Sequence, residues 1–434
     1  MPDEAHTVHA EVTGLQPATT YWYRFKFGTT VTPPGRTRTA PAAGSAVDSL
    51  TFAFVSCQNF AHGSYPAYAD IAGQEDLELV VHLGDYIYEG PGIREGNVRV
   101  HFPAAELFSL ADYRFRHAQY KTDESLQAAH GAHPFLMTWD DHEFKDNYAD
   151  LDLDPDEPLE TVAARRAAAY LAYWEHSPLA RSRKPVGKDM SLYRRAQWGD
   201  VATFHVLDTR QHRSDQMAAQ CTRVDRHPET GYYCPTQLDE SRTILGAEQR
   251  DWLFEGLAGA PAGGWNVLAN QVGFAAQDIN NDAILRRYSP DSWDGYVADR
   301  QRVLDFLAEK SLGNTLVITG DKHYHSVRDV AGSYVDLTGT PLATEFIGSS
   351  ISSVESGSPA MPGTSFGGDA DNPHIKFENH QRGYVSVTLD HERCIGDYRV
   401  VDALHEDSPV TSIAKAEVLR AKPGAVVTPV TPPA

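Results

Sequence analysis

Leu77-Glu78-Leu79-Val80-Val81-His82-Leu83-Gly84-Asp85-Tyr86-Ile87-Tyr88 is the stretch that decides the fold. Its apolar run has the length of a buried strand. Gly84 breaks the run, and Asp85 and Tyr88 follow in the turn. A carboxylate bridges two cations, and a phenolate suits a hard trivalent ion such as iron. Three further runs end in the same way. Residues 51–55 lead to Cys57, residues 135–138 to Asp140-Asp141-His142, and residues 315–319 to Asp321 and His323. Open α/β sheets bind ligands beyond the carboxyl ends of their strands. Core packing alone gives no reason for so many strand ends to carry ligand-type side chains.

Outward from these runs, strands alternate with helices. Residues 65–74, 104–129 and 159–176 carry helical patterns, as does the segment opening at Gly246, with acidic residues early in it. Residues 296–310 form the clearest amphipathic helix, with Val297, Val303, Leu304 and Leu307 on related faces. Residues 201–207 and 265–269 read as strands, and the chain turns β-rich at 343–347, 383–389 and 397–401. The pattern predicts an α/β domain whose later strands pair antiparallel. Before residue 45, residues 7–12 and 20–27 alternate like half-buried strands. Three or four strands are too few for a sandwich, so this β-domain is expected to be incomplete. The expected division is a partial β-domain and linker over 1–45, a catalytic domain over 46–410, and a C-terminal helix or tail over 411–434, with the proline-rich 423–434 disordered.

The 434 residues carry a formal net charge of −21. That argues against duplex nucleic acid as a partner, because phosphate backbones need a basic footprint. It leaves phosphate esters open, since bound cations invert the local field. No run of about 18 apolar residues crosses a membrane, and no secretory leader is legible after Met1. Cys221 and Cys234 flank a polar, turn-rich segment containing His227-Pro228-Glu229-Thr230-Gly231. They read either as a loop-closing disulfide of an oxidising compartment or as two unrelated thiols.

Together, Ser56-Cys57-Gln58, Gly84-Asp85-Tyr86-Ile87-Tyr88-Glu89, Trp139-Asp140-Asp141-His142-Glu143, Leu207-Asp208-Thr209-Arg210-Gln211, Gly320-Asp321-Lys322-His323 and Glu345 through Ser353 resemble the PhoD-type alkaline phosphatases and phosphodiesterases. These are metallophosphoesterases, related in fold to purple acid phosphatases. The resemblance runs from about residue 8 to 401. It implies a two-sheet core in α/β/β/α layers with a fibronectin-like N-terminal domain. It also implies iron(III) (Fe3+) on Cys57, Asp85, Tyr88 and His323, and calcium (Ca2+) on Asp85, Asp140 and Asp321. Asn147 is a further candidate, as ligand or phosphate holder. The expected reaction is in-line attack of a metal-bound hydroxide on a small phosphate ester, by an exported monomer using the twin-arginine route. The alternative is an iron/calcium-type phospholipase D acting on phosphatidylcholine, with Tyr86, Trp293, Tyr296 and Tyr324 read either as placed around choline or as core.

Residue chemistry agrees with part of this. Calcium takes several oxygens, which Asp140, Asp141 and Asp321 offer. Arg210 offers a fork for phosphate, and His142 a general acid or an orienting partner. Plainer readings stand beside these: Cys57 as a buried thiol, Asp140-Asp141 as a helix cap, Arg210 as a salt-bridge partner, and Asn270-Gln271 and Trp293-Asp294 as packing. Residues 349–353 read as backbone near the site, with no catalytic serine. One departure from the family pattern is Lys322-His323-Tyr324-His325-Ser326, where two histidines compete for one role. His323 matches the motif, and His325 is expected to be a pocket residue.

Overall fold

The computed structural model describes residues 4–93, 95–151, 157–216, 221, 223–225, 233–261, 263–279, 285–354 and 363–431. Two sheets stack at its centre. The first contains β5 (Ser49–Val55), β6 (Leu79–His82), β7 (Phe135–Met137), β18 (Arg382–Asp390), β19 (Arg393–Val401), β20 (Thr411–Leu419) and β21 (Lys422–Pro429), in the order β21-β20-β19-β18-β5-β6-β7. The second contains β8 (Arg194–Trp198), β9 (Ala202–Val206), β11 (Trp265–Asn270), β13 (Thr315–Thr319), β14 (His325–Ala331), β15 (Pro341–Ile347), β16 (Thr364–Phe366) and β17 (Ile375–Asn379), in the order β16-β17-β14-β15-β13-β11-β9-β8. β5, β6 and β7 run parallel, as do β9, β11, β13 and β15. The strands flanking both parallel blocks are antiparallel.

Side-chain alternation builds the layers. In β5, Leu50, Phe52 and Phe54 fill the space between the sheets, while Ala53 and Val55 face helices. In β13, Leu316 and Ile318 point inward and Val317 points to the outer helices. A strand buried on both faces must be apolar throughout, which is why these runs were legible as sequence. Over the first sheet lie α1 (Pro66–Gly73), α2 (Leu110–Tyr120), α3 (Glu124–Ala132) and α4 (Leu159–His176). Over the second lie α5 (Ala247–Ala258) and α6 (Val297–Glu309). The architecture is the expected α/β/β/α stack.

Three expectations need correcting. The helical stretch over 104–129 is two helices, because Ser109 caps α2 and the Asp123 carboxylate accepts the Leu126 N–H to start α3. Residues 411–429 are strands β20 and β21, neither helix nor disordered tail. Ala414, Ala416 and Val418 alternate into the inter-sheet core, and Pro423 and Pro429 lie on the outermost strand, where a missing N–H is tolerated. Residues 432–434 lie outside the described residues. At the other end, residues 7–12 form no strand; β1 (Thr20–Tyr23) pairs with β4 (Gly35–Arg38), and β2 (Lys26–Phe27) pairs with β3 (Thr30–Val31).

Cys221 and Cys234 are joined in a disulfide beside the short pair β10 (Arg223–Asp225) and β12 (Leu285–Arg287). The His227–Gly231 segment of that loop lies outside the described residues. Among the described residues, no helix is long and apolar enough to cross a membrane.

His205 in β9 is buried, its Nε2 is 3.0 Å from Asn266 Oδ1, and burial pushes its pKa down to about 4. The unfolded chain binds a proton near pH 6.5, so the contribution of neutral His205 is lost as pH falls from there toward 4. Replacing it with Gln is expected to flatten the acid limb of a Tm–pH curve by up to about 2–3 kcal/mol between those pH values. An unchanged limb would place the acid sensitivity elsewhere.

Candidate active site

Five strand ends converge along one edge of the two sheets. Cys57 follows β5, Asp85 and Tyr88 follow β6, and Asp140, Asp141 and His142 follow β7. Arg210 follows β9, and Asp321 and His323 lie between β13 and β14. Aiming these side chains across the edge requires sharp backbone turns. Cys57, Asp85, Asn147, Asp321 and His323 have φ of 58°, 56°, 56°, 61° and 53°. Each costs an L residue roughly 1–2 kcal/mol, and such strain gathers at functional sites.

The loops are locked to one another. Glu143 accepts the backbone N–H groups of Asp85 at 3.0 Å, Tyr86 at 2.5 Å and Asp140 at 2.8 Å. Burial pushes its carboxyl up to about 7, against the opposing pull of those donors. Cys57 N–H donates to the Gly84 carbonyl at 3.2 Å, and Ser353 Oγ donates to the Cys57 carbonyl at 2.7 Å. The serine segment is therefore backbone beside the site, and Ser353 Oγ also lies 2.7 Å from Tyr88 Oη.

Two ligand-type groups share Asp85. Cys57, Asp85 and His323 offer atoms all within 4.8 Å of one another, and so do Asp85, Asp141 and His142. Tyr88 Oη lies 3.0 Å from Asp85 Oδ2 and 3.2 Å from His323 Nε2. His323 Nδ1 faces the Val354 carbonyl at 2.9 Å, which turns Nε2 toward the cluster. His325 is placed differently. Its Nδ1 accepts the Ser349 N–H and its Nε2 faces the Arg399 carbonyl at 3.2 Å. Both ring nitrogens are occupied by backbone, so His325 is a buried packing residue, not part of the pocket.

These residues fit a cation. Asp85 Oδ1 and Asp140 Oδ2 are buried without a hydrogen-bond partner, and Asp141 Oδ1 meets only Arg210 Nη2, in an ion pair at 3.4 Å. Unpartnered buried carboxylates cost several kcal/mol each. Burial first, then neighbouring carboxylates, pushes Asp85 well above the usual range; burial does the same for Asp140 despite Arg210. Burial also pushes the Cys57 thiol up, and the charges of Asp85, Asp321 and Asp140 push it further. A thiolate, the form that binds metal, forms here only with compensating positive charge.

His142 stands over the Tyr88 ring at 4.1 Å, with Nδ1 2.7 Å from Glu89 Oε2. Burial opposes its positive charge, but Glu89, Asp141 and Asp85 outweigh burial and raise its pKa well above the ordinary value. Asn147 is exposed at the rim. Its N–H donates to Asp141 Oδ2 at 2.7 Å and its side-chain amide to Asp146. Asp321 is half-buried, close enough for its charge to act on Cys57 and Asp85.

Arg210 does not present a free fork. It is fully buried, with Nε 2.5 Å from Asp140 Oδ1, its two terminal nitrogens on Asp291, and Nη2 also 3.4 Å from Asp141 Oδ1. Arg213 adds a second cation to Asp291 at 2.9 Å. Of the aromatic set read as choline-binding or core, Tyr86, Trp293 and Tyr296 are core residues, and Tyr324 Oη bonds Gln277 and Arg328. Asn270, Gln271 and Asp294 are engaged in internal hydrogen bonds and an ion pair. Glu89, Glu143, Asp291 and Ser353 were not singled out by sequence. Glu89, Glu143 and Ser353 lie inside quoted motifs, but they meet partners from other loops.

Comparison with known proteins agrees with this geometry. The PhoD-like phosphatase family matches residues 52–398, and the PhoD-like phosphatase N-terminal domain matches residues 1–41. Alkaline phosphatase D of Bacillus subtilis (strain 168) is 44% identical over 418 residues, spanning 95% of this chain and 69% of the relative. A solved structure, described as the structure of PhoD, superposes with a TM-score of 0.88 at 41% identity, covering 99% of this chain and 81% of that one. The shared fold, the convergent strand ends and these matches make the chain a member of the PhoD-like phosphatase family and a phosphoric ester hydrolase.

Proposed function

We propose that this enzyme is an exported, metal-dependent phosphoesterase that hydrolyses phosphomonoesters and phosphodiesters at a centre holding iron(III) and calcium. The observation that carries the reading is the set of orphaned buried carboxylate oxygens around Asp85, beside a buried thiol and a phenol. In this reading Cys57, Asp85, Tyr88 and His323 hold iron. Asp85, Asp140 and Asp321 hold the divalent ions, and the position of Asp141 beside Asp85 and His142 adds it to that set. When bound, such cations neutralise phosphate oxygens and lower the pKa of a coordinated water.

The protein's own groups supply the rest. Glu89 keeps His142 protonated, so its imidazolium is placed to donate to a leaving oxygen. Arg210, clamped by Asp291, fixes the Asp140 carboxylate with its other oxygen free. Ser353 and the Val354 carbonyl orient Tyr88 and His323. Asn147 stands at the rim, where a phosphate enters. The Cys221–Cys234 disulfide supports an oxidising, extracytoplasmic location.

Prolonged treatment with a strong chelator is expected to remove both metals and abolish hydrolysis of aryl phosphomonoesters and diesters. Iron and calcium together, but neither alone, are expected to restore it. Elemental analysis and the visible spectrum check the loading: a phenolate–iron charge-transfer band is expected and is lost in Tyr88→Phe. Full turnover in metal-free protein would end the proposal.

A further inference from the structure

Most cations around the centre are already committed among the described residues. Arg210 and Arg213 serve Asp140 and Asp291, Arg116 donates to the backbone carbonyls of Gly90 and Pro103, and Lys145 pairs with Glu106 at 2.8 Å. Lys322 is different. Its Nζ lies 3.3 Å from Asp321 Oδ2, a long ion pair with a residue read above as a metal ligand. The Lys322 and Asp321 side chains are 16% and 23% exposed, whereas those of Arg210 and Asp140 are 0% and 2% exposed. The Lys322–Asp321 pair therefore reaches solvent, from which an ester can approach the ammonium. The stem of Lys322 rests on Gly273: a methyl group there would stand 2.8 Å from Lys322 Cε.

We propose that Lys322 is a specificity-determining residue whose ammonium contacts a non-bridging phosphate oxygen and favours dianionic monoesters over monoanionic diesters. This rests on the phosphoesterase reading above. A cation drawn to Asp321 takes over the charge that Lys322 now faces, which frees the ammonium for a phosphate oxygen. A compact ammonium acts as a point charge, so its attraction grows with the charge on the ester. A dianion gains about twice what a monoanion gains.

The test compares wild type, Lys322→Met, Lys322→Arg and Gly273→Ala on one aryl phosphomonoester and one bis-aryl phosphodiester. Metal content, Tm and inhibition by inorganic phosphate are measured alongside. Lys322→Met is expected to lose about 30-fold in kcat/KM on the monoester and about 5-fold on the diester, with phosphate inhibition about 10-fold weaker and metal content unchanged. Lys322→Arg keeps the preference. Gly273→Ala, which displaces the stem without removing charge, shifts the preference in the same direction by a smaller factor. Equal losses on both esters, unchanged rates, or loss of metal would each overturn the assignment. If Lys322→Met fails to fold, Gly273→Ala and Lys322→Arg carry the decision. Wild type that hydrolyses neither ester would refute the phosphoesterase reading instead.

Discussion

Asp85→Asn is expected to lose hydrolysis on the order of a thousand-fold or more, with both classes of metal depleted. Asp85 belongs to both ligand groups and is the residue they share. The amide keeps the size of the carboxylate and can still meet Tyr88 Oη, which lies 3.0 Å from Asp85 Oδ2. It cannot supply the charge. The stability effect runs the other way. Burial and the neighbouring Asp141, Glu143 and Asp321 charges make the ionised carboxylate unfavourable in metal-free protein, although His142 offsets part of this. Removing that charge is expected to leave metal-free Asp85→Asn as stable as metal-free wild type, or more stable by about 1–2 kcal/mol. Adding iron and calcium should then raise the Tm of wild type and leave the variant unmoved. Thermal melts with and without metal, paired with elemental analysis, decide this. A variant that keeps its metals and its turnover would remove Asp85 from the centre.

Gly84→Ala is expected to be nearly as damaging, although Gly84 carries no functional group. Its φ is +108°, in the region that favours glycine. A Cβ there would lie 2.4 Å from Asp140 N, 2.5 Å from Asp140 Cβ and 2.7 Å from the Trp139 carbonyl carbon. Two of these are backbone atoms of the loop that carries the paired aspartates, so relief requires moving that loop. On the other side, the Gly84 carbonyl accepts the Cys57 N–H at 3.2 Å, so the Cys57 loop is disturbed too. The expected cost is about 2–4 kcal/mol of stability. A displacement of about 1 Å between reacting groups is enough for a hundred-fold loss of rate. Gly90→Ala is the control, because a Cβ at Gly90 meets nothing within 4 Å. If Gly84→Ala folds with wild-type Tm, metal content and rate, the close approach of these loops has no functional weight.

The aspartates show where sequence reasoning stopped. Residues 140 and 141 both read as candidate cation ligands, but adjacent carboxylates after a strand end point in different directions. Arg210 comes from the other sheet and takes Asp140 Oδ1 at 2.5 Å; Asp141 Oδ1 is farther from it at 3.4 Å, and Asp141 lies beside Asp85 and His142. Arg210 itself looked like a phosphate fork because Asp291, its partner, is 81 residues away in the chain. His323 and His325, two residues apart, would share a face only if both lay on a strand. β14 begins only at His325, and His323 has positive φ, so the alternation that argument needs does not exist there. At the C-terminus, prolines suggested disorder. Their position on a sheet edge removed the objection to a strand.

Burial on both faces demands continuous apolar runs and helix faces demand a 3.6-residue period, so the central strands and most outer helices were legible in the chain itself, whereas the break within 104–129 and the strands of 411–429 were not. Ligand-type side chains at the ends of those strands were legible too, since a strand end is marked locally by its breaker. Only the tertiary structure decided which ligands meet, which are held by arginine or by backbone, and which oxygens are left without a partner. Those outcomes depend on left-handed turns and on approaches between loops far apart in the chain, such as Glu143 gathering the N–H groups of Asp85, Tyr86 and Asp140. No periodicity within a single segment records where its neighbour in space will lie.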